Sequence, residues 1–371
     1  MKILQNLKIN KKLLRELDYS AIIIAICIVI FGCINIYSAT SKDYGNYYLK
    51  KQIVSMILGL ITVYIILIFD YILIGNYATI IYWAGVILLI INQFFGSTTN
   101  GANSWIRIGS LGMQPSEFAK IGMILILAKK LYEMEGKIND PKNFFHLLFY
   151  AAVPMILIVI QPDMGMTMVS FFIVLGIFYC IGLDSKVIIG GITTLVLLVV
   201  GVWNSPIIQP YWKGRFNSFL HPEQSELGYG LQLIQSKLAI GSGGILGRGF
   251  EKGVQLSSVP ENHTDFIFSV LGEEWGFIGA LILILLYGLL IYRLIKIAKN
   301  SKDIFGIVLC VGFISNLLFS IMQNVGMTIG LLPITGITLP FMSYGGSSLL
   351  TSFMALGLVL NVGMRKKKIN F

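Results

Sequence analysis

The strongest constraint in this sequence is a succession of apolar blocks, each close to the length that a helix needs to cross a lipid bilayer. That length is about 20 residues, and ten stretches meet it. They are roughly residues 19–39, 51–69, 71–91, 115–131, 145–161, 163–183, 187–204, 266–292, 304–330 and 346–364. With 56% hydrophobic and only 12% charged residues, the chain lacks the polar surface of a water-soluble fold. The sequence predicts an all-α polytopic membrane protein with about ten transmembrane helices.

The basic residues indicate how these helices are oriented. Ten spans place both termini on one side, and eighteen Lys and Arg residues fall on that side against nine on the other. Because short cytoplasmic loops carry an excess of Lys and Arg, we expect both termini to be cytoplasmic. A net charge of +10 distributed in this way does not indicate nucleic-acid binding, which needs a basic patch on one folded surface.

The rest of the chain predicts tails, short turns and two long outer loops. We interpret residues 1–371 as one integral-membrane domain, with cytoplasmic tails at 1–18 and 365–371 and outer loops at 92–114 and 205–265. The longer loop separates helices 7 and 8. Its apolar residues recur at helical spacing over 226–240, which predicts a helix that either lies along the outer interface or packs onto the bundle.

Ionisable residues beside the apolar blocks indicate a functional site, because such groups cost several kcal/mol at membrane depth unless they are paired or in a wet cavity. Glu117 follows Pro115 in the first turn of the fourth block, where an acid also suits the helix dipole. Lys120 lies at the wrong end of that dipole, and its i,i+3 spacing allows a pair with Glu117. Asp163 opens the sixth block directly after Pro162.

A third acidic position precedes the eighth block. In the segment Pro260-Glu-Asn-His-Thr-Asp265, Thr264 or Asp265 is expected to cap the following helix. Glu273 lies eight residues beyond Asp265, about 12 Å along a helix, so the two do not form a close dyad. His263 is either a metal ligand or part of the turn before the helix.

The predicted topology places the first turns of spans 4, 6, 8 and 10 on the outer side. Four positive helix ends then face one leaflet, and an anion is expected there. Carboxylates among these ends are expected to be ionised, which suits a general base better than a general acid. One base is expected rather than two.

Five segments resemble the shape, elongation, division and sporulation (SEDS) family of membrane proteins. They are Asn100-Gly-Ala-Asn-Ser-Trp-Ile-Arg-Ile-Gly109, Gln114-Pro-Ser-Glu-Phe-Ala-Lys120, Gln161-Pro-Asp-Met-Gly165, Pro260-Glu-Asn-His-Thr-Asp-Phe-Ile-Phe268 and Leu339-Pro-Phe-Met-Ser-Tyr-Gly-Gly-Ser-Ser348. Together they extend over nearly the whole chain in the family's order. The glycine-rich stretch 233–255 is more similar to the cell-elongation (RodA) branch than to the division (FtsW) branch, and the sporulation branch is a further alternative.

The resemblance implies a peptidoglycan glycosyltransferase that polymerises lipid II, the undecaprenyl-diphosphate-linked disaccharide-pentapeptide, for cell elongation and shape. It implies the outer face of the bacterial cytoplasmic membrane as the location, and a class B penicillin-binding protein transpeptidase as the partner. Asp265 matches the family's catalytic aspartate. Other matches to positions in the family's cavity or linked with its activity are Glu117, Lys120, Asp163, Trp105, Arg107 and Glu273. The sequence identifies no cofactor and leaves a divalent cation such as Mg²⁺ or Mn²⁺ open.

A lipid II flippase is the alternative function from a different class. The charges Glu117, Lys120 and Asp163 would also suit a pathway for a polar headgroup. A flippase needs polar groups at intervals through to the cytoplasmic face, whereas the inner halves of these spans are nearly unbroken aliphatic sequence. The sequence therefore favours the enzyme.

Overall fold

The computed structural model describes residues 11–99, 102–108, 111–203, 205, 210–224, 228–255 and 258–365. The predicted tails therefore lie partly outside the described residues, as do the tip of the first outer loop and the start of the helix predicted over 226–240. The described chain is mostly helical, which confirms the predicted fold class.

Nine of the described helices are long and apolar enough to cross a membrane. They are α2 (Tyr19–Tyr44), α3 (Tyr47–Ile68), α5 (Ala78–Phe95), α7 (Pro141–Ile160), α8 (Met164–Ile181), α9 (Ser185–Val202), α12 (Ile267–Lys299), α13 (Ile304–Thr328) and α14 (Gly346–Met364). The remaining helices are α1 (Lys11–Arg15), α4 (Tyr71–Asn76), α6 (Pro115–Glu133), α10 (Pro210–Leu220) and α11 (Tyr229–Gly243). The protein is thus a multi-pass membrane protein.

Two of the predicted spans differ from the expectation. The block 71–91 is divided into α4 and α5 at Tyr77, next to the weak helix formers Gly75 and Asn76. The fourth block forms α6, which is less apolar than the nine because it carries five charged residues. Fourteen of its 19 residues are buried, and it packs against α5, α13 and α7. Helix α6 is therefore a central element of the bundle.

Helices that begin at one end of the bundle, which we call the capped end, share the same kind of N-cap. An aspartate side chain accepts a backbone N–H at the start of α2, α4, α7, α9 and α13. These residues are Asp18, Asp70, Asp140, Asp184 and Asp303. Such a cap is worth about 0.5–2 kcal/mol, so the capped end is well specified by the local sequence.

The opposite end, which we call the site end, contains the long loops and is capped differently. Asp163 caps α8 by accepting the amide of Met166 at 3.0 Å. The N-cap residues of α6, α12 and α14 are Gln114, Phe266 and Gly345, and none of them makes a side-chain capping bond. The expectation that Thr264 or Asp265 caps the eighth span is wrong, because a turn over 261–266 delays the first helical residue to Ile267.

The first long loop is a small antiparallel sheet of β1 (Ser97–Thr99), β2 (Ala102–Ile108) and β3 (Leu111–Met113). It starts later than predicted because α5 continues to Phe95. Strand β2 is central and pairs Trp105 with Ser97 and Ile106 with Met113. Side chains two residues apart point to the same face of a strand, so Trp105 and Arg107 share one face at the site end.

The second long loop contains α10 and α11. The predicted amphipathic helix is confirmed as α11, and it packs on α12 and α13. Small residues face the bundle: a Cβ on Gly243 would lie 1.9 Å from the carbonyl oxygen of Gly272, and Ser236 Oγ donates to the carbonyl of Thr328 at 2.7 Å. Leu238 is 56% exposed. The helix therefore packs through its small residues and turns part of its leucine face outward.

Helix α9 is the span with the least packing. It contacts α8, and no residue of Ser185–Val202 is buried. Apart from Ile188, which packs against the core, its side chains are left to lipid, unlike those of α14, where most residues are buried between neighbouring helices.

Candidate functional site

A cavity of about 370 Å³ lies at the site end. Its lining includes a residue at the start of each of four helices, namely Gln114 at α6, Met164 at α8, Asp265 before α12 and Gly346 at α14. These are the four helix starts that the topology predicted to face one side. Since the first turn of a helix carries a partial positive charge, the cavity is suited to an anion.

One wall of the cavity contains a buried ion pair. Lys120 Nζ lies 3.0 Å from both carboxylate oxygens of Glu117, and both residues are buried. The hydroxyl of Thr351 on α14 donates to Glu117 Oε2 at 2.5 Å. The pair predicted from the i,i+3 spacing therefore exists, with a third partner that the sequence did not indicate.

Asp163 is held on a second wall of the cavity. Its Oδ2 accepts from Gln114 Nε2 at 3.1 Å, and its Oδ1 accepts the Met166 amide. Burial raises the pKa of the Asp163 carboxyl above its usual value, against the lowering effect of these two hydrogen bonds and of the Arg215 charge. Asp163 thus joins the starts of α6 and α8 beside the cavity.

Asp265 lines the cavity with a half-buried side chain. Its position is set through the main chain, where its carbonyl accepts from Asn324 Nδ2 at 2.8 Å. Burial, aided by the negative charge of Glu261, raises the pKa of the Asp265 carboxyl to about 7. The helix ends were expected to favour the ionised carboxylate, but desolvation has the larger effect on its pKa. A carboxyl with a pKa near neutrality accepts protons more readily than an ordinary one.

Arg215 is a cavity residue that sequence reasoning missed. It lies on α10, is buried, and donates from Nη1 to the carbonyl of Ile334 at 3.2 Å. Its positive charge lowers the pKa of both Asp163 and Asp265. Trp212, one turn earlier, donates from its ring to the carbonyl of Pro162 at 3.3 Å and so connects α10 to the start of α8, a contact between distant segments that the sequence did not indicate.

Six of the seven predicted site residues line this one cavity. They are Trp105, Arg107, Glu117, Lys120, Asp163 and Asp265. Trp105 and Arg107 lie on the sheet, and Glu117 and Lys120 lie at the start of α6. The two aspartates, Asp163 and Asp265, come just before α8 and α12. Residues more than 100 positions apart in the sequence are therefore brought to one place.

Glu273, expected to lie in the cavity or to be linked with activity, does not line the cavity. It is fully buried on α12, and its Oε1 accepts the amides of Val254 at 2.7 Å and Gln255 at 2.9 Å. Arg248 Nε lies 3.8 Å from the same oxygen. The side chain points to the loop after α11 rather than into the bundle, and its geometry suits holding that loop on α12.

His263 lies in an aromatic environment. Its ring centroid is 4.5 Å from that of Tyr48 and 5.7 Å from that of Tyr344, and burial lowers its pKa. Among the described residues, no three His, Cys, Asp or Glu side chains are grouped so as to hold a metal ion. These contacts fit the turn alternative for His263.

A family described as "Cell cycle protein", comprising FtsW, RodA and SpoVE, matches residues 18–368 of the chain. The chain is 35% identical over 362 residues to a probable peptidoglycan glycosyltransferase FtsW of Trichlorobacter lovleyi, covering 94% of this chain and 93% of that protein.

Two solved structures have the same fold. One, described as showing structural coordination of polymerization and crosslinking by a peptidoglycan synthase complex, superposes with a TM-score of 0.81 at 32% identity, over 94% of this chain and 97% of that one. The other is the rod shape determining protein RodA of Thermus thermophilus, with a TM-score of 0.73 at 30% identity, over 95% and 98% of the two chains.

Proposed function

The chain belongs to the FtsW, RodA and SpoVE family of cell cycle proteins, and from this premise we propose that it is a peptidoglycan glycosyltransferase of the bacterial cytoplasmic membrane. Its substrate in this proposal is lipid II. The site end faces outward, where the polymer is needed, in agreement with the excess of basic residues at the capped end and in the tails.

One observation carries the proposal: an acid whose pKa burial raises to about 7, three cations (Arg107, Lys120 and Arg215) and four helix starts share a single cavity. In glycosyl transfer, the acceptor hydroxyl gives its proton to the Asp265 carboxylate as its oxygen bonds to the anomeric carbon of the donor. The bond from that carbon to the lipid diphosphate breaks, and the diphosphate leaves with the electron pair. General base catalysis and stabilisation of the leaving charge are the two requirements of this step.

The leaving diphosphate needs positive charge that is already in position. Arg107, Lys120 and Arg215 provide three full charges in the cavity. The first turns of α6, α12 and α14 have no side-chain caps, so their backbone amides are available to donate to an anion. Glu117 and Thr351 keep the lysine in place. Trp105 and Arg107 close the cavity from the sheet and are suited to contact the sugar or peptide part of the substrate.

We further propose the cell-elongation role and a class B penicillin-binding protein as partner. The glycine-rich stretch that resembles the RodA branch supports the first, together with the similarity to a solved RodA. The likeness to a chain from a complex that couples polymerization and crosslinking supports the second.

The flippase alternative is disfavoured by the depth of the polar residues. The cavity charges lie near the helix starts at the site end. Further along α12, α13 and α14, the neighbouring small pocket is lined chiefly by apolar side chains such as Leu290, Leu294 and Val359. A headgroup pathway across the bilayer would need polar partners there as well.

The decisive experiment gives labelled lipid II to the purified protein, with and without the partner transpeptidase. We expect glycan polymer, and we expect it to form in the presence of moenomycin, which targets the unrelated soluble-domain glycosyltransferases. Movement of lipid II across proteoliposome membranes without polymer would contradict the proposal and support a transporter.

The rate of polymerisation should depend on pH through Asp265. Because the pKa of this carboxyl is about 7, the base is protonated and inactive below neutrality and deprotonated above it. We expect kcat/KM to rise about tenfold per pH unit below pH 6 and to level off above about pH 8. A profile that is flat between pH 5 and 8, measured with intact protein at each pH, would exclude Asp265 as the base.

A further inference from the structure

A cluster of five aromatic rings lies beside the cavity and has no part in the mechanism above. Tyr48 is its centre, with ring centroids 5.1 Å from Tyr44, 5.3 Å from Tyr47, 4.8 Å from Tyr344 and 4.5 Å from His263. We call these five residues the aromatic platform. It joins the turn between α2 and α3 to the segments before α12 and α14.

The platform is continuous with the cavity. Tyr344 lines the cavity, and its amide donates to the carbonyl of His263 at 2.9 Å. His263 is two residues before Asp265 in the same turn. A molecule that leaves the cavity past Tyr344 therefore meets Tyr48 next.

The outer part of the platform is open to contact. Tyr44 is 57% exposed and Tyr47 is 48% exposed, whereas Tyr48 and Tyr344 are half-buried and support them. Lys51 Nζ lies 4.4 Å from the centroid of the Tyr47 ring. Three lysines and one aspartate lie in residues 42–51, and the negative charge of Glu261 acts on Tyr48 and His263, so lysines outnumber acids at the edge of the platform by one.

We propose that the aromatic platform binds the growing glycan strand as it leaves the cavity. The inference rests on the proposed function and adds a second site to it. A cavity of about 370 Å³ is too small for a strand of many sugars, so a longer strand must continue along the protein surface.

The chemistry of the platform fits this ligand. β-1,4-linked pyranoses expose their axial C–H groups on flat faces, and the negative face of an aromatic ring attracts such positively polarised hydrogens. The peptide branches of the strand carry carboxylates, which Lys51 beside the Tyr47 ring is placed to attract. Strand retention between successive transfers would then depend on these rings.

The alternative is that the tyrosines only anchor the helices at the membrane interface, where Tyr is enriched. Interface anchors are expected to be spread around a bundle rather than clustered, and they need no connection to a cavity. The platform rings are clustered, in edge-to-face and tilted pairs, and they adjoin the cavity, which favours the glycan.

The test uses the full-length protein with the double substitution Tyr44→Ala/Tyr47→Ala, since neither residue lines the cavity. We expect the average strand length made from lipid II to fall at least about fivefold, in line with the loss of two stacking contacts, while the initial rate of lipid II consumption changes less than about twofold. Tyr44→Phe/Tyr47→Phe keeps both rings and should make strands of wild-type length. Tyr292→Ala, which removes an equally exposed tyrosine from the far part of α12, is the matched control.

A second measurement does not depend on catalysis. Saturation-transfer NMR with chitotetraose should detect contact with the wild type and with the phenylalanine variant, and the signal should be lost in the double alanine variant. Unchanged strand length in a folded double alanine variant would overturn the proposal and leave the tyrosines as interface anchors. If the wild type makes no polymer, the proposed function fails, and the chitotetraose signal still decides whether the platform binds glycan.

Discussion

Asp265→Asn is expected to lower glycan polymerisation by about 10²–10⁴-fold, the usual contribution of a general base. The substitution keeps the size and shape of the side chain and removes its ability to accept a proton. The carbonyl of residue 265, which accepts from Asn324, is unaffected, so α12 should insert normally. Initial rates of polymer formation by purified protein, at saturating lipid II, measure the effect.

Two controls separate a lost base from a lost fold. Lipid II binding and the melting temperature of Asp265→Asn should stay close to the wild-type values, and any residual activity should no longer change with pH near 7. Asp265→Glu keeps the charge but moves the carboxylate by about 1 Å, which alone can cost about 10²-fold. If the folded Asn variant polymerises at the wild-type rate, the general base must be sought among the other acids that line the cavity, first of all Asp163 and Glu117.

Lys120→Ala is expected to have the second largest effect. Removing one partner of a buried ion pair leaves the other charge uncompensated, which costs about 3–5 kcal/mol of stability. The loss of a cation that faces the leaving diphosphate should lower the rate by about 10²-fold in addition. Thermal unfolding and single-turnover polymerisation measure the two effects separately.

The double variant Glu117→Gln/Lys120→Met distinguishes the loss of stability from the loss of catalytic rate. It removes both charges with little change in volume, so the melting temperature should return close to the wild-type value, whereas activity should stay low. Lys120→Arg should restore part of the activity, because a planar guanidinium does not replace a compact ammonium. Full activity in the alanine variant, or recovery of activity in the double variant, would mean that Lys120 has only a structural role.

The parts of the fold that follow from local chemistry were predictable. Apolar blocks of bilayer length identified the spans, and proline followed by an acid marked the starts of α6 and α8. Topology then brought the helix starts to one end, because alternate spans run in the same direction. Six of the expected site residues consequently share the cavity.

The contacts that the sequence did not indicate are those between distant segments. Arg215 reaches the cavity only because α10 folds back against Pro162 through Trp212. The Glu273 side chain points to amides nearly twenty positions earlier, and no periodicity in α12 specifies that direction. The raised pKa of Asp265 also depends on burial by several segments, whereas sequence reasoning considered helix dipoles alone.

Helix α9 has a consequence for how this protein can change over evolutionary time. Since no residue of Ser185–Val202 is fully buried, and only Ile188 packs against the core, replacing one apolar side chain by another elsewhere in this helix removes little internal packing and leaves no void. Selection for folding therefore acts on the hydropathy and length of this helix and scarcely on the identity of its residues. Of the nine spans, α9 is the one whose sequence is free to diverge, and it is where relatives of this protein could acquire lineage-specific contacts without disturbing the catalytic bundle.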